Sequence, residues 1–192
     1  MGLPIDKLII ATNNNDILKR VIKSGIYKPL KVQHTVSPSM DIQVASNFER
    51  LLFDATLHNS DKVLRLMDNL TERGEFELDK DILSKIKESF CSESLTENET
   101  RKVIKETYEN HKILIDPHTA VAIGAANKLG FKNKIVVLST AHPAKFSEVV
   151  LNETKIKSEL PKNLKNILVE KENFIKLPNE LKKIKSYIFD RA

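Results

Sequence analysis

Three places in the chain put polar side chains directly behind a short apolar run. The richest is Ser139, Thr140, His142 and Lys145, which follow Ile135-Val136-Val137-Leu138. The second is Thr12-Asn13-Asn14-Asn15-Asp16, behind Leu8-Ile9-Ile10. The third is Asp116-Pro117-His118-Thr119, behind Ile113-Leu114-Ile115. Ser, Thr and Asn side chains hold ligands through hydrogen bonds, and a hydroxyl donates without giving its proton away. His142 and Lys145 are suited to lie near an anionic group, although nothing assigns either a proton-transfer role. Each group also has an ordinary structural use: Ser139 and Thr140 as helix caps, Asn13, Asn15 and Asp16 as a turn with a cap, His118 as a helix-start residue.

These groups need elements to position them. Short β-branched runs suit strands buried on both faces of a parallel sheet. Strands are therefore expected at 7–12, 113–116 and 134–139, with a further possible one at 166–169. Pro143 and Pro117 fit first helical positions, where the missing N–H costs nothing. The polar groups then sit between strand C-termini and helix N-termini, the edge at which open α/β sheets bind ligands. Thr12, Asn13, Asn15 and Asp16 are expected at the same sheet edge as Ser139, Thr140 and His142. Helices are expected at about 17–23, 43–58, 61–73, 81–90, 96–110, 117–129 and 179–189. Gly25, Gly74 and Gly130 act as stops, and Thr96 to Glu99 form a capping box.

The fold class expected is α/β: an open, mainly parallel sheet flanked by helices, with a helical subdomain. The segments are 1–60 (strand, polar loop, helix), 61–111 (charged and mainly helical) and 112–192 (a closing α/β segment). A parallel strand starting almost at the first residue is expected to find its sheet neighbours in chain lying upstream.

Four stretches together resemble the threonine synthase family: Ala11 to Asp16; Ser37 to Ile42 with Ser46 to Arg50; Asp116 to Ala122; and Ser139 to Phe146. They occur in the family's order. The resemblance is to the C-terminal portion only, and it implies part of a PLP fold type II (tryptophan synthase β-like) architecture. It implies pyridoxal phosphate as cofactor of the complete enzyme, with Thr140 donating to the ring nitrogen and Ser139 as the second candidate. Asn13, Asn15, Asp16, His142 and Lys145 are implied as site-lining residues. The family's reaction converts O-phospho-L-homoserine and water to L-threonine and phosphate. The family's cofactor lysine and phosphate-binding loop lie upstream of anything matched here, so the expected partner is the N-terminal portion of the same protein. The alternatives are another fold type II PLP lyase and a non-catalytic α/β binding module.

Composition narrows the classes. With 41% hydrophobic and 30% charged residues among 192, the chain reads as globular. Its net charge of +5 comes from lysines interspersed with acids, which is a solvated surface rather than a nucleic-acid face. No apolar run approaches membrane-spanning length. The lone Cys91 excludes an internal disulfide and fits a cytoplasmic location. No spacing of His and carboxylates marks a metal site.

Overall fold

The computed structural model describes residues 3–167 and 169–191. The chain divides into two compact units, Met1–Ser158 and Glu159–Ala192. The boundary falls inside the segment 112–192.

In the first unit, β1 (Leu8–Thr12) leads through the Asn13–Asp16 loop into α1 (Ile17–Ser24). Ile17, Val21 and Ile22 fall on one face of α1 and are buried, which fixes its seat. Gly25 ends the helix at φ 84°, a conformation that glycine adopts without strain, and its N–H bonds to Val21 O. Next come β2 (Ile26–Tyr27), an extended segment with a 3-10 turn at Pro38–Met40, α2 (Phe48–Ala55), α3 (Ser60–Arg73), β3 (Phe76–Glu77) and α4 (Lys80–Ser89). β2 and β3 pair antiparallel. Their meeting stacks Tyr27 between Phe76 (ring centroids 4.7 Å) and Phe48 (5.6 Å) in the centre of the larger core. The Tyr27 hydroxyl accepts the Ala45 N–H at 2.7 Å, so the buried phenol is satisfied. Burial pushes its acidity down, raising the Tyr27 pKa.

β4 (Phe90–Ser94) runs parallel to β1, from Leu8 opposite Phe90 to Thr12 opposite Ser94. α5 (Glu97–His111) starts with the Thr96/Glu99 capping box. α6 (Pro117–Leu129) packs against β1, β4 and α5. Its small residues Ala120, Gly124 and Ala125 make that approach possible. A second core joins Ile104, Ile115 and Ala120. α7 (Ser147–Thr154) follows a 3-10 turn at Pro143–Phe146 and packs on α5. The second unit holds a 3-10 turn at Lys162–Leu164 and α8 (Leu181–Phe189).

The architecture is mixed α/β with a parallel strand pair, in agreement with the fold class expected. Three details differ. The segments 113–116 and 134–139 are not strands, because among the described residues no strand pairs with them. Val136 and Leu138 stay 87% and 73% exposed. The parallel partner of β1 is instead Phe90–Ser94, within the segment expected to be helical. The third concerns α2, which is shorter than 43–58. The Ala45 N–H is tied to the Tyr27 hydroxyl, Ser46 and Asn47 form a turn before the helix, and Leu57 and His58 turn to positive φ after it. Of the possible strand at 166–169, Asn166, Ile167 and Val169 lie in turns, and Leu168 is outside the described residues.

Candidate functional site

The Asn13–Asp16 loop follows the C-terminal end of β1. Asn13 and Asn15 are almost wholly buried, and Thr12 nearly so. Asn13 Oδ1 accepts the Asn15 N–H at 2.8 Å, closing the turn locally. The Asn13 Nδ2 group faces Thr35 Oγ1 (2.8 Å), Ser37 Oγ (3.0 Å), Ser37 O (3.3 Å) and Asp41 Oδ1 (2.7 Å). Asn15 Nδ2 donates to Gln33 O (2.8 Å) and Asp41 Oδ1 (3.1 Å), while its Oδ1 accepts the Gln33 N–H (2.8 Å). These two amides therefore hold the extended segment 33–41 against the start of α1. Asp16 sits at the N-cap position of α1 without a side-chain cap bond. Its carboxylate pairs with Arg20 Nε at 2.9 Å, and Arg20 reaches on to Gln43 Oε1 (3.0 Å) and Lys28 O (2.8 Å).

The second cluster lies at the start of α6. Asp116 is fully buried and caps the helix through the His118 N–H at 2.9 Å. The same Oδ1 lies 2.9 Å from His118 Nδ1, and Oδ2 accepts the Thr119 hydroxyl in a short hydrogen bond. Thr119 Oγ1 is 3.4 Å from Ser139 Oγ, and the His118 ring meets Phe146 with centroids 4.8 Å apart. This cluster thus touches both ends of the Ser139–Phe146 stretch.

Within that stretch, His142 caps the 3-10 turn: its Nδ1 accepts the Ala144 N–H at 3.2 Å. The capping task falls to His142 rather than to the two hydroxyls. Ser139 and Thr140 are exposed, and the Thr140 hydroxyl makes no hydrogen bond among the described residues. Lys145 is exposed and has no ion pair among the described residues. The geometry brings Ser139 together with Thr119, Asp116 and His118, and brings Asn13 together with Asn15. Asp16 turns to Arg20 instead. No hydrogen bond or ion pair among the described residues joins the Asn13–Asp16 loop to Ser139–His142.

Several contacts of these two clusters carried no signal in the sequence. Gln33 and Thr35 belong to none of the three polar groups that follow an apolar run. Asp41 is the acceptor on which both buried amides converge. Asp116 and Thr119 belong to a Pro-containing helix start whose ordinary reading hid the contact to Ser139.

Ser139 and Thr140 thus present exposed hydroxyls beside a buried polar cluster, able to donate hydrogen bonds without releasing a proton. The solved structure of PLP-bound threonine synthase from Brucella melitensis superposes on the whole of this chain with a TM-score of 0.87 and 42% identity, using 42% of its own length. That likeness defines the class: a mixed α/β chain with the fold of part of that enzyme. The family described as threonine synthase, C-terminal, matches residues 119–188. A threonine synthase of Saccharomyces cerevisiae is 43% identical over 204 aligned residues, taking in 96% of this chain and 38% of that protein. One of Pseudomonas aeruginosa is 37% identical over 98% of this chain and 41% of that protein. Over nearly its whole length the chain is similar to part of these threonine synthases, and it spans about two fifths of their length.

Proposed function

We propose that this chain is the C-terminal part of a PLP-dependent threonine synthase, a carbon–oxygen lyase acting on phosphates. The complete enzyme converts O-phospho-L-homoserine and water to L-threonine and phosphate. The observation that carries the reading is the 42% identity and 0.87 TM-score over the whole chain to a PLP-bound threonine synthase. The remaining part of the enzyme supplies the cofactor lysine and the phosphate loop, and 1–60, 61–111 and 112–192 are the segments contributed here. The lone Cys91 fits a reducing cytoplasm. No described helix is long and apolar enough to cross a membrane.

When bound, the cofactor supplies an electron sink for charge developing on the substrate carbons. This chain's residues bind and orient. Thr140 donates its hydroxyl to the ring nitrogen, which keeps that nitrogen unprotonated because an alcohol does not release its proton. Ser139 stands next to it, tethered to Thr119. Asn13 and Asn15 shape the wall of the site by fixing segment 33–41, and Asp16 contributes through its pair with Arg20. His142 and Lys145 lie on the exposed side of the 3-10 turn, where an anionic substrate group is accommodated. The exposed apolar run Ile135–Leu138 and the exposed Ile113 are surfaces for the rest of the enzyme.

Phosphate release from O-phosphohomoserine by the complete protein is the direct test. Turnover of another amino acid with no phosphate release would favour a different fold type II lyase, and absence of any PLP binding would favour a non-catalytic module. The 192-residue chain alone is expected to be inactive and to give no Schiff-base absorbance with PLP.

A further inference from the structure

We propose that His118, held by Asp116, is a ligand-binding residue of the complete enzyme whose Nε2 accepts a hydrogen bond from an N–H or O–H group of the bound substrate–cofactor pair. The inference rests on the threonine synthase reading above.

The Asp116 carboxylate accepts from three donors, all on the first turn of α6. Oδ1 takes the His118 backbone N–H and faces the ring Nδ1, each at 2.9 Å, and Oδ2 takes the Thr119 hydroxyl. A carboxylate only accepts, so the 2.9 Å contact requires the proton on Nδ1. With Nδ1 holding that proton, the neutral form of the ring has its bare lone pair at Nε2. That atom is buried and has no hydrogen-bond partner among the described residues, on a side chain only 8% exposed. Native structures pair the large majority of buried side-chain polar atoms.

A purely structural role does not explain this arrangement. Asp116 caps α6 through a backbone N–H, so the helix start needs nothing from the imidazole. An apolar aromatic ring would pack on Phe146 equally well and leave no polar atom stranded. The carboxylate instead fixes the ring's tautomer and orientation and leaves one acceptor unused. Thr119, bonded to the same carboxylate, contacts Ser139, so the unused acceptor belongs to the cluster that carries the exposed hydroxyl pair. The Thr119 proton is committed to Asp116. The long contact to Ser139 Oγ then draws on the Ser139 hydroxyl, and His118 Nε2 is the unused acceptor of this cluster. The matching ligand atom carries a proton.

Two measurements on the complete enzyme test this. The first follows the His118 ring nitrogens by ¹⁵N NMR in histidine-labelled protein, before and after adding PLP and then L-threonine with phosphate. The Nε2 resonance is expected to move from its bare-lone-pair position when the ligands bind. The second compares His118→Phe with His118→Gln. The Phe variant should melt within a few degrees of wild type but lose about tenfold or more in PLP affinity or in kcat/KM, the scale of one buried hydrogen bond to a ligand. His118→Gln, which restores an acceptor, should recover part of that loss. An Nε2 resonance unmoved by both ligands overturns the proposal, as does a Phe variant with wild-type cofactor affinity and turnover. If instead the wild-type enzyme binds PLP but releases no phosphate from O-phosphohomoserine, the reaction assigned above fails, and the NMR result still decides the role of His118.

Discussion

Asn13 and Asp41 lie 28 positions apart in sequence and meet through a 2.7 Å hydrogen bond from Nδ2 to Oδ1. Asn15 Nδ2 and the Thr35 hydroxyl converge on the same oxygen, at 3.1 and 2.7 Å, and the Thr35 N–H takes the other at 2.9 Å. One carboxylate therefore gathers the loop after β1 and the segment 33–41 into a single network. Hydrogen bonds to a charged acceptor are the stronger kind, and burial raises the cost of leaving a donor unpaired.

Asp41→Ala should destabilise the complete enzyme by about 2 kcal/mol or more, because it removes the one charged acceptor that Asn13, Asn15 and Thr35 share. Asn13→Ala should cost less, since it removes a donor and leaves Asp41 with its other partners. Urea midpoints for the two variants check the order. Equal, small shifts would mean that water replaces Asp41 freely and that the network does not hold the loop.

Thr140→Val should leave the melting temperature unchanged, because the hydroxyl is exposed and has no partner among the described residues. It should weaken PLP binding in the complete enzyme by about 0.5–1.5 kcal/mol, the net worth of one hydrogen bond. Titration of apoenzyme with PLP, followed by absorbance, is the measurement. Wild-type affinity would remove Thr140 from the cofactor site.

Local signals were legible in the sequence where the cause is local. The capping box at Thr96 and Glu99 and the stops at Gly25, Gly74 and Gly130 are written within a few residues, and the helices α1, α3, α4, α5 and α6 follow them. The parallel pairing of β1 with β4 was not legible. Phe90-Cys91-Ser92-Glu93-Ser94 has neither a continuous apolar run nor alternation, and its strand character comes from the β1 edge beside it. Ile135–Leu138 shows the converse: its β-branched run is strand-like, yet a strand requires a hydrogen-bonded neighbour. At the site, Asn13 and Asn15 had both a structural and a ligand reading in the sequence, and His142 a ligand reading alone. The structure shows that all three have structural partners, while the unused acceptor at His118 depends on tertiary burial that no spacing reveals.

Gly124→Ala should destabilise despite the better helix propensity of alanine. A Cβ there would fall 2.2 Å from Leu95 Cδ2 and 3.1 Å from Val103 Cγ2. Leu95 is only 1% exposed, so its side chain has nowhere to swing. Overpacking of this kind costs about 1–3 kcal/mol, more than the roughly 1 kcal/mol that alanine gains over glycine in a helix. In a Leu95→Ala background the clash disappears, so the same substitution should become neutral or stabilising. A double-mutant cycle read by urea midpoint gives the coupling. Additive effects would show that α6 shifts away from β4 without penalty.

Glu99 should give the fold a specific acid sensitivity. The Lys128 ammonium bonds its carboxylate at 2.8 Å, and the Thr96 N–H donates to it at 2.8 Å within the capping box. These partners, Lys128 first, hold its pKa down at about 2, against an ordinary 4.5. A carboxyl whose folded pKa is depressed adds stability above its unfolded value, and that stability is lost as pH falls through the folded value. The window here runs from 4.5 down to about 2. Glu99→Gln keeps a side chain able to complete the capping box but removes the charge. The variant should be less stable than wild type near neutral pH, and the gap should close progressively across that window. Because the Glu99 side chain is 41% exposed, the gap should also shrink in high salt, where the ion pair is screened. Thermal melts of both proteins at several pH values make the comparison; a gap that stays constant from neutral pH to the bottom of the window would show that the Lys128 pair contributes nothing to the fold.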